Sequence, residues 1–234
     1  MNEHDLPPSI WANDPPNLPN GGVVLFQGDS ITDGGRGRSL DPNHILGHSY
    51  AFLVAARCAA TFPTMRVQFY NRGVSGDRIN RLHDRCQEDI IQLRPNLLSI
   101  LIGVNDAISA VKGLPEACSA ADFGKQYEEL LREVLQLLPN VRLVMCEPFF
   151  VSASARENVE EMETAVKERA TITAALAHRF NATLVCFQQT FDEALSFASA
   201  DHWVWDGIHP TYAGHQLMAD QWLRAVNACS HKWP

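Results

Sequence analysis

Three residues in this chain could together turn a hydroxyl into a nucleophile. Ser30 lies in Gly28-Asp29-Ser30-Ile31-Thr32-Asp33-Gly34, directly after the apolar run Val23-Val24-Leu25-Phe26-Gln27. Far along the chain, Trp205-Asp206-Gly207-Ile208-His209-Pro210 places a carboxylate three positions ahead of an imidazole. At that spacing Asp206 can accept the proton on one ring nitrogen of His209, which leaves the other nitrogen to take the proton of a serine hydroxyl. Pro210 biases His209 away from helical backbone angles and suits the first position of a helix, so the imidazole is expected at a loop-to-helix junction. Each motif alone has an ordinary use. Asp29, Ser30 and Thr32 all suit a helix N-cap, and Asp206 suits a turn. Taken together they supply nucleophile, base and orienting carboxylate.

Acyl transfer also needs donors aimed at the developing oxyanion, and two further positions fit. Gly73, in Asn71-Arg72-Gly73-Val74-Ser75-Gly76, lacks a Cβ and so lets a backbone N–H approach a ligand. Asn105, in Ile102-Gly103-Val104-Asn105-Asp106, carries a side-chain amide that donates, as an ionised carboxylate cannot. The Ser30 segment is not the G-x-S-x-G elbow, because the glycine two residues after the serine is missing. Gly34-Gly35-Arg36-Gly37-Arg38 is glycine-rich and basic but lacks the Gly-Lys-Ser/Thr ending of a phosphate-binding loop. Arg36, Arg38 and His48 are candidates to line the entrance to the site, although a solvated loop is the favoured expectation for them. Trp205 abuts the Asp206 motif and is the expected substrate-binding residue, an indole able to stack on a sugar or wall off a small acyl pocket; packing is the ordinary alternative for it, for Trp203 and for Trp233.

Short apolar runs that alternate with amphipathic stretches must position these residues. The runs predict strands over Val23–Gln27, Arg66–Asn71, Leu97–Ile102, Val141–Cys146 and Ala182–Cys186. Helical patterns fill His48–Phe62, Arg78–Leu93, Asp122–Leu138, Arg156–Phe180 and Thr211–Asn227. Strands that each hand over to a helix imply an α/β fold, a three-layer α/β/α sandwich around a five-stranded parallel sheet in the flavodoxin-like order. Ligands of such sheets sit beyond the carboxyl ends of the strands. Ser30, Gly73 and Asn105 each follow a strand, so all can meet on one rim.

At 234 residues and 46% hydrophobic, the chain can bury one large core, and a single domain over 23–234 is expected behind an extended, proline- and asparagine-rich arm at 1–22. A net charge of −8 disfavours nucleic acid and anionic membrane surfaces as partners. The start has no basic or apolar signal-like region and no run approaches a membrane span, which predicts a cytoplasmic protein. The six cysteines form no CxxC pair and read as free thiols, and the nine histidines show no HExxH arrangement. No metal site and no cofactor are expected.

Gly28-Asp29-Ser30, Gly73, Gly103-Val104-Asn105-Asp106 and Asp206-x-x-His209 resemble, in order, the four blocks of the SGNH hydrolases, also called the GDSL esterase/lipase family. The likeness spans residues 23 to 227. It implies Ser30 as nucleophile, His209 as base, Asp206 as its orienter, and the Ser30 N–H, Gly73 and Asn105 as the oxyanion hole. Gly28-Asp29-Ser30-Ile31-Thr32-Asp33-x-Gly35-Arg36 and Trp205-Asp206-x-x-His209-Pro210 are further similar to the small intracellular carbohydrate acetylesterases, particularly acetyl-xylooligosaccharide esterases. That likeness implies removal of acetyl groups from acetylated sugars by a homo-oligomer. The competing expectations are a lysophospholipase or short-chain thioesterase using the same residues, and a non-catalytic carbohydrate-binding domain.

Overall fold

The computed structural model describes residues 15–39, 41–155, 157–229 and 233. Residues 1–14 of the expected arm, and Arg156 at the expected start of a helix, lie outside them.

Five strands, β1 Val23–Gly28, β2 Gln68–Asn71, β3 Leu97–Leu101, β4 Arg142–Cys146 and β5 Thr183–Val185, form one parallel sheet in the order β2-β1-β3-β4-β5. Every β3 residue is buried, as a strand covered on both faces requires. Alternation along β1 divides the core. Val24 and Phe26 join a cluster with Tyr50, Phe149, Phe187 and Trp222, while Leu25 joins Ile79, Leu98, Phe123 and Tyr127 on the opposite face. Helices α2 (Tyr50–Thr61), α7 (Phe187–Ala194) and α9 (Tyr212–Ala228) thus cover one side, and α3 (Ile79–Asp84) and α5 (Ala120–Leu137) the other. This is the expected three-layer sandwich. Trp222 is wholly buried, and its indole N–H finds the Ser99 hydroxyl at 2.9 Å, so its apolar area is buried without an orphaned donor.

The chain runs from β1 outward to β2 and then back across to β3, which makes the β1/β3 junction the switch point where such sheets open a crevice. Two short helices stand at carboxyl ends of strands here, α1 (Ser30–Asp33) after β1 and α4 (Val104–Val111) after β3.

Several helices differ from the sequence pattern. The helix expected over Arg78–Leu93 is α3 followed by a separate π-helical turn, Gln87–Ile91. Arg85 sits at the break, its guanidinium turned onto the Arg72 carbonyl at 2.7 Å and the carboxylates of Asp77 and Asp89. α6 (Val159–Arg179) spans most of the expected Arg156–Phe180 helix. α4, α7 and α8 (Ala200–Trp203) are absent from the pattern, because one or two turns give too few residues for a helical period to show. Within residues 15–22, Asn17 ties the chain to the end of α9, while the Gly21 N–H donates to the Met65 carbonyl before β2. Leu18 is buried, Asn17 Nδ2 donates to the carbonyls of Val226 and Cys229, and the Trp233 indole donates to the Asn17 carbonyl at 3.1 Å. No helix among the described residues is long and apolar enough to cross a membrane.

Candidate active site

Ser30 is the first residue of α1, whose single turn is fixed at both ends. Asp29 is the cap, its Oδ1 accepting the Ile31 N–H at 3.0 Å. Gly34 closes the turn in the left-handed region at φ 51°, its N–H donating to the Ser30 carbonyl at 3.0 Å. Gly28 enters the turn at φ 155°, and a Cβ there would lie 2.3 Å from the Leu101 carbonyl of β3. That contact is impossible for any side chain, so the strand-to-helix corner that presents Ser30 needs glycine.

His209 stands on a tight hairpin. Val204 bridges Pro210, Trp205 N–H donates to the His209 carbonyl at 3.2 Å, and Thr211 N–H donates to the Trp203 carbonyl at 2.8 Å. Pro210 is not the first residue of the following helix. Thr211 caps α9 by accepting the Gly214 N–H, which places Pro210 ahead of the cap. Within the hairpin, Asp206 Oδ1 accepts the N–H groups of Ile208 and His209 at 3.0 and 2.7 Å, while Oδ2 meets His209 Nδ1 at 2.8 Å. Burial works to raise the Asp206 pKa, but the His209 N–H, the imidazole and the Ile208 N–H outweigh it and hold the carboxyl below its ordinary value. An ionised Asp206 places the imidazole proton on Nδ1 and leaves the Nε2 lone pair facing outward. There it meets Ser30 Oγ at 2.9 Å, across 179 residues of chain. The three side chains therefore form one continuous hydrogen-bonded line, which can take the hydroxyl proton as the oxygen attacks a carbonyl.

Gly73 and Asn105 lie beyond the carboxyl ends of β2 and β3, on either side of the β1 corner. Asn105, the second residue of α4, spends one amide hydrogen on the Asp77 carbonyl at 3.1 Å and keeps a second to offer. Gly73 is glycine for a reason the sequence does not show. A Cβ on it would sit 2.5 Å from the Asp33 nitrogen, so clearance for the α1 turn decides the residue. Its N–H already donates to Asn71 Oδ1 at 2.9 Å.

Two buried carboxyls lie under this rim. Burial raises Asp29 to about 7, the cap N–H of Ile31 opposing, and burial likewise raises Asp106 to about 6. His215 is pushed the other way, to about 4, by burial first and then by repulsion from His48 and His209; its Nδ1 accepts the Tyr50 N–H at 3.2 Å and so caps α2. Trp205 is half exposed, with its ring stacked over the His209 imidazole at 6.2 Å between centroids and 26° between planes. Trp203 instead bonds the Ala194 carbonyl, and Trp233 lies under the Arg142 guanidinium.

Arg36 overturns the solvated-loop expectation. It is buried, and its Nε donates to the Gly73 carbonyl at 2.9 Å. Arg38 pairs with Asp33 at 2.7 Å. Asn71, Asp33, Arg36 and His215 all support the site; the first three fall inside the sequence motifs but the sequence assigns them no structural duty, since a buried arginine and a solvated one look alike in a glycine-rich stretch.

A family model for the GDSL-like lipase/acylhydrolase family matches residues 26–217. An acetylxylan esterase from Geobacillus stearothermophilus is 30% identical over 211 residues, 88% of this chain and 94% of the relative. Among solved structures, a Parabacteroides merdae protein described as a GDSL-like lipase is 34% identical with a TM-score of 0.85, over 90% of this chain and 97% of that one. A variant of the Geobacillus acetylxylan esterase is 27% identical with a TM-score of 0.81, over 90% of this chain and 96% of that one. Three solved forms of that enzyme are described as catalytic mutants and replace a serine, an aspartate and a histidine, the latter two three positions apart.

Proposed function

Because this chain belongs to the GDSL-like lipase/acylhydrolase family and is a carboxylic ester hydrolase, we propose that it removes short acyl groups, acetyl foremost, from acetylated carbohydrates such as xylo-oligosaccharides, through an acyl-enzyme on Ser30. The observation that carries the reading is the unbroken line from Ser30 Oγ through His209 to Asp206, with links of 2.9 and 2.8 Å. Ser30 Oγ attacks the ester carbonyl as Nε2 takes its proton. The tetrahedral oxyanion is met by the Ser30 N–H, which as a first-turn helix donor has no partner inside α1, and by the Asn105 amide and Gly73 N–H. His209 then returns the proton to the departing sugar oxygen, and a water molecule, activated by the same imidazole, hydrolyses the acyl-enzyme.

The sugar preference rests on two supports. The acetylxylan esterase relative matches across nearly its whole length. Trp205 also offers a half-exposed indole beside the imidazole, a surface suited to a sugar face rather than to an alkyl tail. A purely binding domain would have no use for a serine hydroxyl held on an oriented imidazole. The test is a panel of acetyl, butyryl and octanoyl aryl esters together with acetylated xylo-oligosaccharides and a lysophospholipid. A buried methylene contributes about 0.8 kcal/mol where a groove receives it. Without such a groove kcat/KM falls as the acyl chain lengthens, and the acetylated sugar exceeds the lysophospholipid. Activity that rises with acyl length replaces this reading with a lysophospholipase.

A further inference from the structure

Gly73 is gripped from both sides. Its carbonyl accepts the buried Arg36 Nε–H at 2.9 Å and its N–H donates to Asn71 Oδ1 at 2.9 Å. The Asn71 amide cannot be turned around, because its Nδ2 faces three carbonyl acceptors, Thr32 at 2.7 Å, Leu46 at 2.9 Å and Asp33 at 3.2 Å. Two of those carbonyls belong to α1, the turn that carries Ser30. Arg36 is tied to the same turn, its own N–H donating to the Asp33 carbonyl and to Asp33 Oδ1 at 3.0 and 3.1 Å. Asp33 Oδ2 in turn accepts the Ser75 N–H at 3.0 Å, which fixes the far side of the Gly73 loop. With the Asp33 nitrogen 2.5 Å from where a Gly73 Cβ would stand, the two turns are in backbone contact and are stitched by three side chains.

A donor stabilises an oxyanion fully only if it is oriented before the charge appears, since a peptide that must rotate first spends part of the interaction on reorganisation. Gly73 has no side chain to hold it, and its N–H already has an internal acceptor. That N–H, on the Arg72–Gly73 peptide, can serve an oxyanion only by sharing its hydrogen from a fixed orientation. Asn71 holds this peptide directly and Arg36 holds the next one through the Gly73 carbonyl, so the two together fix the backbone on both sides of a Cα that no side chain restrains. We propose that Arg36 is a positioning residue of the oxyanion hole, acting through its hydrogen bond to the Gly73 carbonyl while Asn71 holds the Gly73 N–H from the other side. This rests on the reading of Gly73 and Asn105 as oxyanion donors. Burial, and then repulsion from Arg38, brings the Arg36 guanidinium down to about 10, so it remains charged throughout the neutral range.

The experiment compares Arg36→Met, of similar length but without a donor, with Arg36→Lys, which restores one donor and the charge. For each, kcat and KM on an aryl acetate are measured beside the affinity for a boronic acid that forms a tetrahedral adduct with Ser30. Losing the orientation of one donor out of three predicts that Arg36→Met lowers kcat about thirtyfold with KM within about twofold, and weakens the boronic acid by the same factor. Arg36→Lys is expected only about threefold down in both, since a flexible ammonium holds the carbonyl less firmly than a guanidinium. Wild-type kcat in Arg36→Met, a change confined to KM, or a kcat loss with unchanged boronic acid affinity each overturns the proposal. Should Arg36→Met not fold, Arg36→Lys decides: parallel losses in kcat and boronic acid affinity support the proposal, and wild-type values overturn it. Asn105→Ala, run alongside, separates the two levels. If it leaves kcat unchanged, the oxyanion reading itself has failed; if it lowers kcat and the Arg36 variants do not, only the role of Arg36 falls.

Discussion

Asp206 serves His209 twice: one carboxylate oxygen meets the imidazole Nδ1 at 2.8 Å, and the other accepts the His209 backbone N–H at 2.7 Å. The same side chain thus sets the fold of the hairpin and the tautomer of the base. These two duties can be separated by substitution.

Asp206→Asn can keep an oxygen on the backbone N–H groups but turns an NH2 toward Nδ1, which then must be the unprotonated nitrogen. Nε2 would carry the proton and could not accept one from Ser30. The expected outcome is a thermal midpoint close to wild type with kcat lower by about four orders of magnitude. Asp206→Ala loses both duties and should also be less stable, by about 1–2 kcal/mol for the orphaned N–H groups. Calorimetry beside ester turnover checks both, and near-normal turnover in Asp206→Asn would mean that another carboxylate orients the base.

Asn105 should act on the transition state alone. Asn105→Ala is expected to cost about 3 kcal/mol, roughly a hundredfold in kcat, with KM little changed. A raised KM at constant kcat would instead make Asn105 a ground-state contact. Steady-state kinetics on an aryl acetate distinguish the two.

Trp205 gives a test of the substrate class. Stacking on a sugar face is worth about 1 kcal/mol, so Trp205→Ala should lower kcat/KM on an acetylated xylo-oligosaccharide about fivefold and leave a small aryl acetate within about twofold. Equal losses on both substrates would show that the indole acts by packing on the His209 ring it covers.

His215 predicts a pH dependence of stability. Its folded pKa, about 4, is below the ordinary 6.5, so between those values the unfolded chain binds the extra proton. Stability from this group is complete above pH 6.5 and is lost as pH falls toward 4, in total on the order of 3 kcal/mol at 1.36 kcal/mol per unit. His215→Gln, which can still present an acceptor to the Tyr50 N–H, should flatten that slope. Urea unfolding of both proteins at pH 4.5 and 7.5 is the measurement, and an unchanged slope in His215→Gln would assign the acid sensitivity to other groups.

Much of the site was legible in the sequence because its decisive spacings are short. An aspartate three residues before a histidine can reach its imidazole within one short loop, as Asp206 reaches His209. Glycine at position 28 followed by a capping aspartate makes a strand-to-helix corner from local sterics. Short apolar runs gave the five strands, and their alternation with helical stretches implied a parallel sheet in the flavodoxin-like order, which is the observed one and has its switch point beside Ser30. What the tertiary structure alone decided is which groups meet across long stretches of chain and which are dry. The 2.9 Å contact of Ser30 with His209 depends on β1 and the hairpin before α9 ending on the same rim. Arg36, Asn71 and His215 carry ordinary surface-compatible side chains, and nothing in their neighbours along the chain distinguishes a buried clamp from a solvated loop. α4 and α7 are too short for a helical period to emerge, and they form where packing against the sheet and α6 or α9 outweighs weak local preference. Local geometry is written in neighbouring residues; burial is a property of the assembled layers, and it sets the charge, the reach and the partner of each of these side chains.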